Sequence, residues 1–145
     1  MRILLCPPWI PNVLVRWLCA DELSQYTQVK TLFETARSKQ NYFFVSITVL
    51  LELEWVLRLR YQFDQQKICY AFNALLETKE ILFQDESAIE YALFLYKQAT
   101  ADFADCIHAA IAVLYKHNPL LSFDIKAARM TDIQLIHQFS RKNDF

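Results

Sequence analysis

The sequence contains no glycine among its 145 residues. About ten would be expected at the roughly 7% of an average chain. Walker A loops, G-x-G-x-x-G dinucleotide-binding turns, G-x-S-x-G nucleophile elbows and EF-hand loops all need glycine at fixed positions, so its absence excludes them. Any chemistry must therefore depend on side chains that helices and strands hold in place.

Other absences narrow the class of protein. No apolar run approaches the ~18 residues that a membrane-spanning helix needs, and residues 1–5 are too weak a pattern for a signal peptide. The formal net charge is −1, so no overall basic field attracts nucleic acid. The four cysteines lack C-x-x-C spacing and the three histidines lack zinc-ligand spacing. We therefore expect a cytoplasmic globular protein with reduced thiols, no zinc and no membrane contact.

Short apolar strands alternate with longer amphipathic segments along the chain. The pattern predicts strands at residues 3–5, 42–45, 81–83, 120–123 and 133–136. It predicts helices at residues 13–19, 22–39 (capped by Asp21), 86–98 and 103–116, a helix capped by Ser46 or Thr48 that reaches residue 60, a helix capped by Asp64 that reaches residue 76, and a helical turn at 127–129. This order is typical of one α/β domain, residues 1–145, with a parallel sheet covered on both faces.

The lack of glycine also bears on the turn at residues 116–119. Glycine is common at the end of a helix, because a helix often ends on a residue with positive φ. Asn118 would tolerate that conformation, but Pro119 biases it towards extended geometry. We therefore expect Lys116 or His117 to adopt the left-handed conformation.

Two acids interrupt the apolar helical segment at residues 49–57. A buried carboxylate without a partner is costly, so at least one of them must face a cation, a metal or water. Glu54 can pair with Arg58, four residues later. Glu52 has Val56 at that spacing, so it either joins a site or lies at the solvent edge of the helix.

Three further acids lie near predicted element ends. Asp102 is a good N-cap for the helix from residue 103, which accounts for it structurally. Asp105 then falls at the third helical position and is harder to explain as a cap. Asp124 directly follows an apolar strand, where parallel-sheet proteins form their sites, although it can equally cap the turn at residues 126–129.

Carboxylates from separate elements at one end of a parallel sheet suit a hard divalent cation. Mg²⁺ prefers oxygen ligands, keeps several waters and commonly uses one or two carboxylates together with substrate phosphates. Such a site needs no glycine loop. The residues therefore predict metal-assisted hydrolysis of nucleic acid.

Four segments resemble, in order, the successive motifs of PIN-domain proteins, and most nearly those of VapC-type toxins of bacterial toxin–antitoxin pairs. They are residues 12–18, 45–53, 101–109 and 121–124. The resemblance implies a three-layer α/β/α fold around a short, mainly parallel central sheet of four to five strands. It also implies a Mg²⁺- or Mn²⁺-dependent endoribonuclease that acts on RNA, forms homodimers and is neutralised by a cognate antitoxin protein.

Matched motif by motif, the resemblance assigns the catalytic and metal-binding carboxylates to Glu52, Asp105 and Asp124. The supporting positions are Asn12, Ser122 and Asp102.

The first acid of the resembled family is missing from this chain. The family has Asp-Thr-Asn at the end of its first strand, where this sequence has Ile10-Pro11-Asn12. One hypothesis is a frameshift: the last base of the Trp9 codon and the first two of Ile10 spell GAT, which encodes Asp. If the Ile10 codon is ATA, the next triplet is ACC, which encodes Thr. The nucleotide sequence tests this, since any other Ile10 codon removes the Thr.

Three interpretations follow from these residues. The first is a VapC-like ribonuclease in which Arg16, Lys126 and Arg129 contact RNA phosphates, unless they are ordinary solvated surface charges. The second is a catalytically impaired PIN-domain binding module that lost its first acid but still dimerises and binds an antitoxin. The third is an unrelated α/β domain whose acids match the motifs by coincidence.

Overall fold

The computed structural model describes residues 2–4, 10–98, 100–117, 119–130, 132–136 and 138. The strands are β1 (Arg2–Leu4), β2 (Asn41–Val45), β3 (Ile81–Phe83), β4 (Leu120–Ser122) and β5 (Ile133–Leu135). The helices are α1 (Ile10–Cys19), α2 (Leu23–Ser38), α3 (Ile47–Leu59), α4 (Gln65–Leu76), α5 (Glu86–Gln98) and α6 (Phe103–Leu114), with a 3-10 turn at Ala127–Arg129. None of the helices within these residues is long and apolar enough to cross a membrane. The chain divides into two compact units, a first unit of Met1–Asp85 and a second unit of Glu86–Phe145.

The first unit is built on a three-stranded parallel sheet in the order β1-β2-β3. Its strands are short and mostly apolar, and they are rich in Ile, Leu, Val and Phe, which suits a pleated surface covered by helices. Phe43 of β2 packs edge-on against Phe33 of α2, with ring centroids 5.3 Å apart. Val45 of β2 and Leu53 of α3 are fully buried, so α3 turns its apolar face into this core.

The second unit packs α5 against α6 beside a two-stranded parallel sheet, β4-β5. Ile89 of α5 and Ile107 of α6 are buried, and Tyr96 meets Phe103 edge-on at 5.4 Å. This packing fixes the first turn of α6, which carries two of the acids singled out in the sequence.

The α/β class with short parallel strands is confirmed, but the strand pairing differs from the expectation of one central sheet. The five strands within the described residues form sheets of three and two strands. Apolar runs identify strands, whereas the neighbour of each strand depends on contacts far apart in sequence. The single domain over residues 1–145 stays a prediction.

The residues at the helix starts agree with the predicted caps at three of four places, and two of these three caps form a side-chain hydrogen bond. Ser46 accepts a hydrogen bond from the Val49 amide at the start of α3, and Asp64 accepts one from the Lys67 amide at 2.8 Å at the start of α4. The predicted cap Asp21 is wrong, because Glu22 occupies the N-cap position of α2.

Two helices differ from their predicted bounds by more than one residue. Helix α1 begins three residues earlier than predicted, with Pro11 in its first turn, where the missing N–H costs nothing. Helix α6 ends at Leu114 instead of residue 116, because Lys116 adopts φ 60°. Residue 5, the end of the first predicted strand, lies outside the described residues.

Candidate active site

The acids of the second unit begin with the first turn of α6. Asp102 is at the N-cap position, as predicted, but its side chain makes no capping hydrogen bond to the described backbone. Asp105 is half-buried in the first turn, where the helix dipole favours negative charge. The carboxylate of Asp102 is therefore exposed and not used in holding the helix end.

Asp105 lies in a local excess of negative charge. Burial raises the pKa of Asp105, the carboxylates of Asp102 and Asp124 raise it further, and His108 opposes them. Asp124 is 19 residues away in sequence, so tertiary packing brings its charge near Asp105. The structure thus brings three of the predicted site residues into one electrostatic neighbourhood, in which a cation would relieve both the repulsion and the desolvation.

Asp124 is held by its own loop, directly after β4. The Ser122 hydroxyl oxygen accepts a hydrogen bond from the Asp124 amide at 2.9 Å. The Asp124 carboxylate accepts one from the Lys126 amide through Oδ1 at 2.8 Å. The capping role that the sequence left open for Asp124 is therefore real, and it leaves the second carboxylate oxygen outside that turn.

The three predicted RNA contacts differ in their surroundings. Lys126 and Arg129 are exposed, and neither forms an ion pair with another residue in the described part of the chain. Arg16 instead donates to both carboxylate oxygens of Asp21 (3.0 and 2.9 Å) and to the Tyr61 hydroxyl at 3.2 Å. Its hydrogen bond holds the pKa of Asp21 below its usual value. Arg16 as a phosphate contact stays a prediction.

The other predicted site residues belong to the first unit. Asn12 is exposed near the start of α1, and Glu52 is exposed on α3. Glu54 is buried and accepts a hydrogen bond from Arg58 Nε at 2.8 Å, so the predicted i,i+4 pair is confirmed. The meeting of Glu52 with the acids of α6 stays a prediction. Across the described residues, no group of three or more His, Cys, Asp or Glu side chains forms a ready metal centre.

One feature of the first unit was missed by the sequence reasoning. A cavity of about 790 Å³ opens at the amino ends of β2 and β3, lined by Trp17, Tyr42, Arg37 and Glu80 among others. Glu80 is 4% exposed and pairs with Arg37. The only sequence signal was an acid next to the apolar strand β3. Sites in parallel sheets form at the carboxyl ends of the strands, so this cavity lies at the opposite edge.

Comparisons with known proteins add one match. The family model of the PIN domain matches residues 12–133, a range that includes parts of both units. No curated protein matches the chain.

Proposed function

Because the chain belongs to the PIN-domain family, whose fold is of the nuclease type, we propose that it is a metal-dependent endoribonuclease resembling VapC toxins. The observation that carries the proposal is the neighbourhood of Asp102, Asp105 and Asp124, in which burial and like charge raise the pKa of Asp105. Such a neighbourhood is costly in a structure that only needs to fold, and it is useful in one that binds a cation.

The acids of the second unit fit a hard divalent cation in donor type. They supply carboxylate oxygens, and a bound cation offsets the repulsion at Asp105. Asp105 and Asp124, with Glu52 as the predicted third ligand, would hold Mg²⁺ or Mn²⁺. When bound, such a cation lowers the pKa of water and neutralises charge on a phosphodiester.

The chain's own residues take supporting roles in this proposal. Ser122 fixes the loop of Asp124 through the Asp124 amide, and Asp102 adds negative charge beside Asp105. Lys126 and Arg129 are free to neutralise backbone phosphates, since neither is paired within the described residues. Asn12 matches the asparagine that follows the first acid of the resembled motif and is the third supporting residue. The cytoplasm is the expected compartment, where RNA substrates are present.

Position 10 supports a second candidate function. Ile10 stands where the resembled motif has an acid, and the isoleucine side chain has no oxygen that could bind a metal. Two large apolar side chains are exposed one turn apart on α3, Trp55 (53%) and Leu59 (52%). An impaired PIN domain that dimerises and binds an antitoxin would use such a surface.

Cleavage of a structured RNA in Mg²⁺ or Mn²⁺ tests the proposal. We expect the purified chain to cleave, and Asp105→Asn to slow the reaction by on the order of 100-fold or more, because a lost ligand costs at least as much as a lost outer partner. Ile10→Asp should raise the rate. In a melting experiment Mn²⁺ should stabilise the chain but not Asp105→Asn, since only the native site binds it.

Glu90→Gln is the matched control, because Glu90 is an exposed acid of α5 in the same unit. It should cleave and respond to Mn²⁺ like the unchanged chain. Cleavage only after Ile10→Asp would support the impaired binding module instead. If neither the unchanged chain nor Ile10→Asp cleaves any of several RNAs, the ribonuclease is contradicted.

A further inference from the structure

Phe123 is the most exposed of the large apolar side chains in the described part of the chain, at 83%. It lies between Ser122, the last residue of β4, and Asp124. Phenylalanine is normally buried, so a ring left in water beside a proposed catalytic acid indicates a surface made for contact.

The loop that carries Phe123 is held on both sides. The Asp124 amide donates to the Ser122 hydroxyl oxygen at 2.9 Å, and the Asp124 carbonyl accepts from the Ala128 amide at 3.0 Å. The Lys126 amide bonds the Asp124 carboxylate. The ring is thus presented from a hydrogen-bonded turn, so little ordering would be needed when a partner binds.

Two cations that follow Phe123 closely in sequence favour one class of partner. Lys126 and Arg129 are exposed and have no ion pair within the described residues, and both lie within six residues of Phe123. Aromatic rings interleaved with unpaired cations are typical of surfaces that bind single-stranded nucleic acid. The two cations complement the phosphates of such a strand.

We propose that Phe123 is a stacking platform for an unpaired nucleobase of the RNA, which it holds next to Asp124. This rests on the proposed function, because it takes RNA as the ligand at Asp124. Bases inside a duplex are already stacked and cannot reach such a ring, so the platform selects single-stranded loops or ends. Phe123 is a positioning residue and takes no part in proton transfer.

Binding of a short single-stranded RNA containing 2-aminopurine tests the platform. The Asp105→Asn chain serves as background so that the RNA stays intact. We expect the fluorescence of 2-aminopurine to be quenched when this background chain binds the RNA. Phe123→Ala should weaken the affinity for RNA by about 10-fold and abolish the quenching, because one base stack is removed. Phe123→Trp should keep both, whereas Phe123→Leu, which is apolar but not aromatic, should resemble Phe123→Ala.

Phe94→Ala is the matched control, since Phe94 is an exposed phenylalanine (53%) on α5 of the same unit. It should bind like the background chain, and annealing the RNA to its complement should remove the effect of Phe123→Ala. Absence of RNA binding, unchanged affinity in Phe123→Ala, or full affinity in Phe123→Leu would overturn the platform. So would a change of oligomeric state in Phe123→Ala without a change in RNA affinity.

Binding and cleavage are read separately, so failure of one proposal is distinguished from failure of the other. If the RNA binds with Phe123-dependent quenching but the unchanged chain does not cut it, the ribonuclease is contradicted and the platform is supported. If Phe123→Ala and the unchanged chain cut the RNA at the same rate and bind it with equal affinity, the platform is contradicted and the ribonuclease is supported.

Discussion

Glu54 and Glu80 are buried acids of the first unit, and an arginine lies beside each of them. The Glu54–Arg58 pair could be predicted, because its partners are one helical turn apart. The Glu80–Arg37 pair could not, because 43 residues separate its partners. The Arg37 hydrogen bond holds the pKa of Glu80 below its usual range. At the residue scale, the partner of a buried charge can therefore be predicted only when it is close in sequence.

Removal of Arg37 should destabilise the protein in a pH-dependent way. A lowered pKa in the folded state means that the pair contributes stability above the pKa of Glu in the unfolded chain, about 4.3, and loses it as the pH falls through the folded-state pKa. We expect Arg37→Met to lower the free energy of unfolding at neutral pH, because the buried carboxylate of Glu80 loses its donor. Urea unfolding measures this.

The effect should shrink as the pH falls through the lowered folded-state pKa of Glu80, because protonation removes the charge that Arg37 neutralises. Lys30→Met removes a cation from the same helix and should change little. Adding Glu80→Gln to Arg37→Met should restore part of the loss. An equal loss at neutral and acid pH would show that Arg37 acts by packing and not by charge.

Helix ends are where the absence of glycine matters at the scale of elements. Four described residues have positive φ: Ala20, Gln40, Gln62 and Lys116. Lys116 was one of the two residues expected to take this conformation, which is confirmed. The His117 amide bonds the Ala112 carbonyl at 2.7 Å and the Lys116 amide bonds that of Val113 at 3.0 Å, so α6 ends in a Schellman motif without glycine.

Glycine introduced at a strained end should stabilise the protein. The left-handed conformation costs a non-glycine residue about 1–2 kcal/mol, and added freedom in the unfolded chain returns about 0.4–1 kcal/mol of that. We expect Ala20→Gly to raise the free energy of unfolding by about 0.5 kcal/mol, as measured by urea titration.

Ala74→Gly makes the same chemical change at an exposed position inside α4, where φ is helical. It should lower the free energy of unfolding by about 1 kcal/mol. If Ala20→Gly and Ala74→Gly lower the free energy of unfolding equally, the backbone at Ala20 is not strained and the prediction is wrong.

At the scale of the whole molecule, the question is whether the two units unfold together. The structure divides at Asp85 and Glu86, while the PIN-domain match runs through that boundary from residue 12 to residue 133. All three tryptophans, at positions 9, 17 and 55, belong to the first unit, so their fluorescence reports on that unit alone. Far-ultraviolet circular dichroism reports on the helices of both units.

A single domain over residues 1–145 should unfold in one transition. We expect the fluorescence and circular dichroism curves to coincide in urea, because coincident probes are the signature of two-state behaviour. Phe94→Trp places a fluorophore on exposed α5 and should report the same midpoint. Separate midpoints would show that the two units unfold independently.

The sequence by itself determined the six helices and five strands of the described residues and the cap Asp64. It narrowed the cap of α3 to Ser46 or Thr48 and the left-handed residue to Lys116 or His117, and the structure has Ser46 and Lys116. These depend on periodicity, capping and steric limits within a turn or two of chain. Only the tertiary structure decided which strands pair, that Arg37 neutralises Glu80, and that Asp124 raises the pKa of Asp105. Such effects act through space between segments that are distant in sequence, so no local pattern encodes them.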